Sequence, residues 1–448
     1  MPPLLPRAER IAMGKALRER VPRSTWAAWK RPIAERDPIA ILERSSAGRL
    51  PELVPIRYGR MQRTPFAFLR GAAAVMAHDL ATIPSSGVRV QACGDCHVMN
   101  FGLFATPERQ LVFDVNDFDE TLPAPWEWDV ARLAASAEVA ARALGLSDAR
   151  ARDVTMASVR AYREHVAACA RMSPLEVWYS RLDAETLIAE APHAASRRRR
   201  EELAASAQKR VVEALFPKLT TRIGGALRFV DDPPLIEHVT DGEAEARVRE
   251  GLAAYRASLP AERRMLLDRH RLEDVAREVV GIGSVGTRCW IALFATADEE
   301  PLVLQLKEAA RSVLEPYAGA SAYTHQGQRV VVGQRSMQSA SDVLLGWTKT
   351  RSGRDYYVRQ LRDMKLSIPL ENARPGALER YAELCGRCLA RAHARAGDAA
   401  ILSGYLGRSD RFETSMAAFA AAYADQTERD HATLEAAVRS GRLESRDA

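Results

Sequence analysis

The segment that most constrains the fold is a polar loop, GDCHVMN at residues 94–100, between two short apolar segments. The flanking segments VRVQACGD and LVFDVNDFD alternate short apolar runs with polar ends, which is typical of strands. The pattern predicts two strands, with the whole stretch GDCHVMNFGLFATPERQ forming loops between them. Asp95 and Asn100 then share one loop, and Asp117 lies at the end of the next strand.

The chemistry of these three side chains is that of a magnesium-dependent reaction. Mg²⁺ prefers carboxylate and amide oxygens and completes its octahedron with substrate phosphates. Phosphoryl transfer needs little more from a protein: a cradle for the phosphates, a cation on them, and a carboxylate that orients the attacking hydroxyl. The loop and the strand after it therefore point to phosphoryl transfer.

A second segment offers the phosphate cradle. Residues 274–307 alternate as strand, Gly-rich turn, strand, acidic turn and strand, the one clear antiparallel meander in the sequence. Lys307 lies one hairpin after the Gly-rich turn, where it can reach the α and β phosphates of a nucleotide. A strand follows the turn, whereas a dinucleotide-binding fold would have a helix there. The residues predicted to bind the nucleotide are Gly281, Gly283, Ser284, Gly286 and Lys307.

The two segments resemble a known bacterial family. GDCHVMNF with LVFDVNDFDETLPAPWEWDVARLAAS, and also VGIGSVGTR, GQRSMQSASD and YVRQLRDMK, resemble domain-of-unknown-function family 2252. That family is similar to the aminoglycoside phosphotransferase branch of the kinase-like superfamily, whose loop reads GDxHxxN. The resemblance implies that Asp95 is the catalytic base, Asn100 and Asp117 are Mg²⁺ ligands, and Lys307 acts on ATP. It also implies that Asp129 is a structural aspartate and that His97 shapes the loop by hydrogen bonding.

The order of the segments is reversed from that of a kinase, because the loop at 94–100 precedes the Gly-rich turn. We therefore expect an α+β, two-lobed, kinase-like fold that is circularly permuted, a change tolerated when the original termini lie close together. The predicted units are 1–273, an N-terminal extension and helical catalytic lobe with the metal motif at 116–120; 274–365, a small antiparallel β lobe; and 366–448, helices that complete the large lobe. A hinge is expected near Arg362 to Lys365.

Other elements follow from local patterns. Apolar periodicity predicts a helix from Pro65, several helices over 127–215, one from Ser321 to Gln338, and helices from Pro375 onward. The sequence leaves the acidic partner of Lys307 open between two residues, Glu308 and Glu315. The seven tryptophans are expected to anchor the core, among them Trp126, Trp128 and Trp178.

The cysteines suggest two rival sites. Cys93, Cys96 and His97 spell the attachment motif of c-type haem, but that chemistry requires export and the sequence shows no export signal. Cys385 and Cys388 form a second C-x-x-C pair, which together with Cys93 and Cys96 would suggest a four-thiolate zinc site. Because this pair lies in a periodic helix, where residues i and i+3 share an apolar face, packed thiols are the favoured interpretation.

Composition limits the partners and the compartment. The 64 basic and 58 acidic residues leave a net charge of only +6, so nucleic acid is an unlikely partner. No apolar stretch approaches the roughly 18 residues that a membrane helix needs, and six cysteines suit a reducing compartment. We therefore expect a cytoplasmic protein that binds a nucleotide and an unknown hydroxyl acceptor, either a small molecule or a protein. A nucleotide-binding pseudokinase with a regulatory role is the alternative.

Overall fold

The computed structural model describes residues 5–30, 36–210, 212–239, 242–361, 364–367 and 375–447. Helices make up 53% of the structure, and the strands form small antiparallel sheets. The chain is an α+β protein, as the sequence predicts. In the described ranges no helix combines the length and the apolar character that crossing a membrane requires.

The helices fall into an N-terminal group, a long central group and a C-terminal group. They are α1 Arg7–Arg20, α2 Pro38–Ser46, α3 Val54–Gln62, α4 Pro65–Gly71, α5 Ala73–Leu80, α6 Trp126–Ala143, α7 Asp148–Cys169, α8 Pro174–Tyr179, α9 Ala184–Ala189, α10 Ala194–Gln208, α11 Val212–Leu219, α12 Gly242–Ser258, α13 Ala261–Leu267, α14 Glu315–Ala318, α15 Gln326–Met337, α16 Pro375–Ala396, α17 Ala399–Leu406 and α18 Arg411–Arg439.

The strands pair into four small sheets. They are β1 Arg89–Ala92, β2 Phe101–Ala105, β3 Leu111–Val115, β4 Leu122–Pro125, β5 Thr220–Ile223, β6 Ala226–Phe229, β7 Ile236–Glu237, β8 Arg271–Glu278, β9 Cys289–Ala295, β10 Pro301–Glu308, β11 Gly346–Lys349, β12 Asp355–Gln360 and β13 Leu366–Ser367. The largest sheet has six strands in the order β11-β12-β10-β9-β8-β7, and every pair in it is antiparallel.

Helix α6 lies at the centre of the helical part of the molecule, with sixteen of its eighteen residues buried. Helices α7 and α16 pack against each other at very short range. A Cβ atom on Gly386 of α16 would lie 2.1 Å from the carbonyl oxygen of Ser158 on α7, so only glycine fits there. Small residues thus allow the backbones to approach, and the Ala-rich sequence of these helices follows from that packing.

The predicted meander is confirmed. Strands β8, β9 and β10 are consecutive and antiparallel, and the Gly-rich turn joins β8 to β9. Lys307 on β10 lies opposite Cys289 on β9 and Tyr357 on β12. Strands β11 and β12 form a further antiparallel hairpin. Helix α15 packs against this hairpin and starts five residues later than predicted, with the His325 side chain accepting a hydrogen bond from the Gln328 amide.

Two predictions about residues 65–105 are wrong. Residues 101–105 are not loop but strand β2, which pairs with β3, while β1 pairs with β4 instead. The apolar run FGLFA directly follows the polar residues at 94–100, and for this reason the local pattern predicts a loop there. The single helix predicted from Pro65 is two helices, α4 and α5, which meet at Ala72.

The boundary predicted at residue 274 falls inside β8. Residues before it also pack on the six-stranded sheet: α12 contacts β8 and β11, and the Tyr255 hydroxyl donates to the Leu344 carbonyl. The tryptophan prediction holds for Trp126 and Trp128 but is wrong for Trp178, which is 48% exposed. Helix α8 is only six residues long and buries Val177, so the next residue faces outward, under the Arg395 guanidinium.

A pH-dependent contact fixes the edge of the six-stranded sheet. The His238 ring contacts Asp274 Oδ2 and Asp231 Oδ1, each at 2.9 Å. Burial opposes the charged ring, but the two carboxylates outweigh it, so the pKa of His238 is raised above the ordinary 6.5. A raised pKa stabilises the fold below about pH 6.5, and this stabilisation is lost as pH rises through the folded pKa.

We expect His238→Gln to lower the urea midpoint clearly at pH 6 and little at pH 9, because only at the lower pH is the ring charged and bound to both carboxylates. Equal losses at both pH values would contradict this.

Candidate active site

The loop that carries Asp95 is held by a buried aspartate on α6. Asp129 accepts hydrogen bonds from the backbone amides of Cys93, at 2.7 Å, and Gly94, at 2.9 Å. His393 on α16 contacts the same carboxylate at 3.1 Å. Gly94 has φ +87°, and a Cβ there would lie 2.3 Å from the Glu120 carbonyl oxygen, so the turn requires glycine. Asp129 therefore has the structural position that the sequence predicts.

Asp95 presents one carboxylate oxygen to a cavity. Its Oδ1 accepts two hydrogen bonds from the Arg132 guanidinium, at 2.5 and 2.8 Å, while its Oδ2 accepts none from the described residues. His97 Nε2 is 3.8 Å from Oδ2, too far for a hydrogen bond. The prediction that the His97 side chain shapes the loop by hydrogen bonding is therefore wrong. Burial lowers the pKa of His97 to about 4, so its ring is neutral at pH 7.

Asn100 and Asp117 offer oxygens to the same cavity. Asn100 Nδ2 donates to the carbonyls of Asp95, at 3.1 Å, and Asp117, at 2.9 Å, which turns the amide oxygen away from the backbone. Within the described residues nothing donates to that oxygen. Burial would raise the pKa of Asp117, but Lys307, Arg359 and Lys365 outweigh it and lower the value to about 2. An ionised carboxylate beside an open amide oxygen suits a hard divalent cation.

Lys307 reaches these acids from the six-stranded sheet. Its Nζ is 2.7 Å from Asp119 Oδ2 and 3.6 Å from Asp117 Oδ2, and its side chain is 2% exposed. Asp119 also accepts hydrogen bonds from Tyr357, at 2.7 Å, and from Ser284, at 3.1 Å. Burial opposes the charge on Lys307, but the carboxylates Asp117 and Asp119 together raise its pKa well above the usual value. The lysine is therefore a fixed cation at pH 7.

The acidic partner of Lys307 is thus neither of the two predicted glutamates. Adjacent strand residues face opposite sides of a sheet, so Glu308 points away from Lys307. Glu308 binds Arg288, at 3.2 Å, and Arg354, at 2.8 Å. Glu315 lies on α14, and its buried Oε1 has no hydrogen-bond partner. Asp119 holds this role instead.

The Gly-rich turn presents amides that are free to bind. In the described part of the chain, the amides of Ile282, Gly283 and Ser284 donate to no acceptor. Backbone amides left open in such a turn form a concave site for anions. Gly281 and Gly286 have φ +68° and +89°, which only glycine adopts readily. Gly286 is buried beneath the turn and does not face the cleft, so of the four predicted turn residues three line it.

The carbonyls of the turn are held by residues of the N-terminal segment. The Leu50 amide donates to the Gly286 carbonyl at 2.7 Å, and the Arg60 side chain donates to the Gly281 carbonyl at 2.6 Å. Arg49 donates to the Val285 carbonyl. Because the carbonyls are bound on this side, the open amides are left for a ligand in the cleft.

Two adjoining cavities meet at Asp117. The Asp95 cavity, about 240 Å³, extends from Asp95 toward the N-terminal helices, and the Gln305 cavity, about 300 Å³, extends past Lys307 along the sheet. Both are lined by Asn116, Asp117, Gly281, Ser284 and Lys365. A larger cavity of about 400 Å³ lies between α10 and α16, but it is mainly apolar and contains none of the predicted site residues.

Lys365, at the end of the predicted hinge, lies at the rim of this cleft. Lys365 borders both cavities, while Arg362 and Asp363 lie outside the described residues. Burial and the nearby Arg359 lower the pKa of Lys365 to about 7. This lysine was not predicted as a site residue.

The surroundings of the cysteines favour packed thiols over a metal site. Of the described residues, Cys93, Cys96 and Asp129 come close enough to hold a metal ion, but Asp129 already binds backbone amides. Burial raises the pKa of the Cys96 thiol, which opposes the thiolate that a metal needs. Cys385 and Cys388 are fully buried in α16 and do not join this group.

A family model described as an uncharacterized protein conserved in bacteria (DUF2252) matches residues 49–437. The chain belongs to this family. The match covers the loop at 94–100, the motif at 116–120, the Gly-rich turn and Lys307, so all the predicted site residues lie in the DUF2252 region. No curated protein and no solved structure matches the chain.

Near Asp95 and Asp117, the sequence assigns no role at the acids to Asp119, Arg132, Tyr357 or Lys365. For Asp119 the sequence carries a signal, since it lies two residues after Asp117 in NDFDE. Arg132 lies three residues after Asp129 and therefore on the same face of α6. Tyr357 and Lys365 offer no such signal, because only the pairing of distant strands brings them to Asp117.

Proposed function

We propose that the protein is an ATP-dependent phosphotransferase that transfers the terminal phosphoryl group of ATP to a hydroxyl acceptor. The observation that supports this best is the convergence of groups from distant parts of the chain on one cleft. Lys307 lies 3.6 Å from Asp117, and Asp117 shares the Asp95 cavity with Asp95 and Asn100. These are the groups that phosphoryl transfer requires.

Each group has a task that its position suits. The nucleotide lies in the Gln305 cavity, with its phosphates against Lys307 and reaching the open amides of the Gly-rich turn at Ser284, where the two cavities meet. MgATP, when bound, supplies the phosphoryl group together with a cation that offsets its charge. Asn100 and Asp117 are the residues that would hold that cation. Asp95 Oδ2 accepts the hydrogen bond of the acceptor hydroxyl and orients its oxygen toward the phosphorus.

A permuted kinase-like fold accounts for the order of these parts. From β8 onward the chain runs through Gly-rich turn, Lys307 strand, helix α15, the β11–β12 hairpin and a linker, which is the order of a kinase small lobe. The part with Asp95 and Asp117 would normally follow but here precedes it. The sequence departs from the kinase pattern at one point, since Asp119 and not a helix glutamate binds Lys307.

The first test is nucleotide binding. We expect MgATP at about 100 times its dissociation constant to stabilise the protein by about 2.7 kcal/mol, measured as a rise in Tm. Lys307→Met should abolish this rise, because it removes the cation that binds the phosphates. Asp117→Asn should abolish only the part of the rise that requires Mg²⁺.

Each variant is compared with its own Tm without nucleotide, so that a loss of intrinsic stability does not distort the comparison. Lys349→Met is the matched control, since Lys349 lies on β11 of the same sheet and is 52% exposed. It should retain the full rise. The absence of any shift of the wild-type protein with any nucleoside triphosphate would refute the proposed function.

A further inference from the structure

The wall of the Asp95 cavity opposite the loop is built by arginines. Arg49 follows α2, Arg57 lies on α3, and Arg311 lies between β10 and α14; all three line the cavity. We call these three residues the arginine wall. Arg57 is 2% exposed and Arg49 is half-buried, whereas Arg311 is exposed.

The guanidinium groups of the wall are not neutralised by carboxylates. Arg57 donates to the Gly71 carbonyl and to Ser46 Oγ, each at 2.8 Å, and its buried Nε has no partner. Arg49 donates to two backbone carbonyls. Within the described ranges, neither these two nor Arg311 forms an ion pair.

The acids of the same cavity already have other cations. Asp95 binds Arg132 at 2.5 Å, and Asp119 binds Lys307 at 2.7 Å. Glu308 binds its own two arginines, as described above. Glu120 accepts the Val313 amide at 2.7 Å, and burial raises its pKa to about 7, so it is only partly ionised at neutral pH. The arginine wall therefore has no carboxylate bound to it, and Asp119, Glu120 and Glu308 act on Arg49 only through space.

Buried positive charge of this kind lowers the stability of the fold unless a bound anion compensates it. A buried guanidinium without a carboxylate loses much of its hydration, and neutral carbonyls return only part of that. Burial, together with repulsion from Arg49, lowers the pKa of Arg57 to about 9, which still leaves it charged at pH 7. Guanidinium groups bind carboxylate and phosphate oxygens in pairs, so the cavity offers what a small anion needs.

We propose that the acceptor carries, besides its hydroxyl, an anionic group, either phosphate or carboxylate, that binds to the arginine wall. This inference rests on the proposed function and names the substrate class of that site. The wall faces the Asp95 side of the cleft, away from the Gln305 cavity that suits the nucleotide. A cavity of about 240 Å³ limits the acceptor to the size of a single sugar or a similar small molecule.

The transfer then balances as follows. The acceptor oxygen forms a bond to the terminal phosphorus of ATP, and the bond from that phosphorus to the bridging oxygen of ADP breaks. The electron pair of the broken bond leaves with ADP. The hydroxyl proton passes to Asp95 and then to solvent. The anionic group of the acceptor takes no part in the bond changes and serves only to place the hydroxyl.

The test uses the full chain with Mg²⁺ and a non-hydrolysable ATP analogue. The probes are inorganic phosphate and a matched set that differs only in charge: glucose, glucosamine, glucuronate and glucose 6-phosphate. We expect inorganic phosphate and the two sugar anions at about 10 mM to raise Tm above the value in chloride of equal ionic strength, while glucose and glucosamine do not. Arg49→Gln and Arg311→Gln should each weaken the anion response by about tenfold.

Arg44→Gln is the matched control, because Arg44 lies on α2, is exposed and does not line the cavity. It should behave like the wild type. Arg311→Gln keeps the test valid even if Arg49→Gln folds poorly, since Arg311 is exposed and its side chain forms no hydrogen bond or ion pair with the described residues.

Three outcomes separate the ideas. If MgATP binds but no anion stabilises the protein, the inference is overturned and the proposed function remains. If Arg311→Gln, whose side chain does not hold the Gly-rich turn, weakens MgATP binding as much as anion binding, the wall holds a phosphate of the nucleotide, and the inference is again overturned. If nucleotides do not bind at all, the proposed function fails, and so does the assignment of the anion as an acceptor group.

Discussion

Replacing Asp95 with asparagine is expected to lower phosphoryl transfer by about 10²- to 10⁴-fold while MgATP affinity stays within about twofold. Asparagine keeps the size of the side chain and an oxygen that can accept from Arg132, which lies 2.5 Å from Asp95 Oδ1. The asparagine amide, however, has no basic oxygen that could accept the hydroxyl proton. Because Asp95 acts mainly on the transition state, its loss should appear in turnover and not in ground-state binding of the nucleotide.

The measurement follows ³²P from γ-labelled ATP into the protein itself and into a metabolite extract, and the Tm rise with MgATP reports binding in parallel. Asp148→Asn is the control, since Asp148 is an exposed residue in the first turn of α7. If Asp95→Asn transfers the phosphoryl group at the wild-type rate, Asp95 has no part in the mechanism. If the wild-type protein binds MgATP yet transfers no more label than the variant, a nucleotide-binding regulatory protein becomes the better interpretation.

Local signals are enough to predict the three-stranded meander at the centre of the six-stranded sheet. Residues 274–307 carry alternating apolar residues and two clear turns, and β8 to β10 form within a few residues of the predicted limits. The proximity of Lys307 and Asp117 was predicted only through the resemblance to a phosphotransferase family. No local pattern connects these two residues, because the contact depends on how the sheet lies against the loops that follow β3.

Elements that depend on distant pairing were missed. Strand β4 reads LPAP, and its two prolines argue against a strand in any local analysis. It forms because β1 pairs with it in a sheet of only two strands, where prolines can face away from the ladder. The short strand β13 is another such case, since it pairs with β2 at Leu366 and Ser367.

The N-terminal segment was the largest omission from the predicted site. Residues before Pro65 gave only short helical patterns mixed with arginines, and none was predicted to reach the cleft. In the structure Arg49 and Arg60 bind the carbonyls of the Gly-rich turn, and Arg57 lines the Asp95 cavity. Their function depends on contacts with residues more than two hundred positions away, which a single sequence does not reveal.

The contact that holds this segment in place should also be the most costly one to remove. Arg36 donates to both oxygens of Asp79 and both oxygens of Asp430, at distances from 2.5 to 2.7 Å. The Arg36 side chain is 5% exposed, and the two carboxylates are 1% and 5% exposed. It thus ties the chain before α2 to α5 and α18.

We expect Arg36→Ala to lower the free energy of unfolding by about 3–5 kcal/mol, because it leaves two buried carboxylates without their cation. Burial already raises the pKa of Asp79 even with Arg36 present, so the variant should recover part of its stability at low pH, where both carboxylates become protonated. Urea unfolding at pH 7.5 and pH 5 measures both effects, with the exposed Arg44→Ala as control. Arg36→Lys should recover only part of the loss, since one ammonium group cannot donate to four oxygens in a plane. A urea midpoint equal to that of the wild type would show that the two acids do not depend on Arg36, and that the N-terminal helices reach the cleft by other contacts.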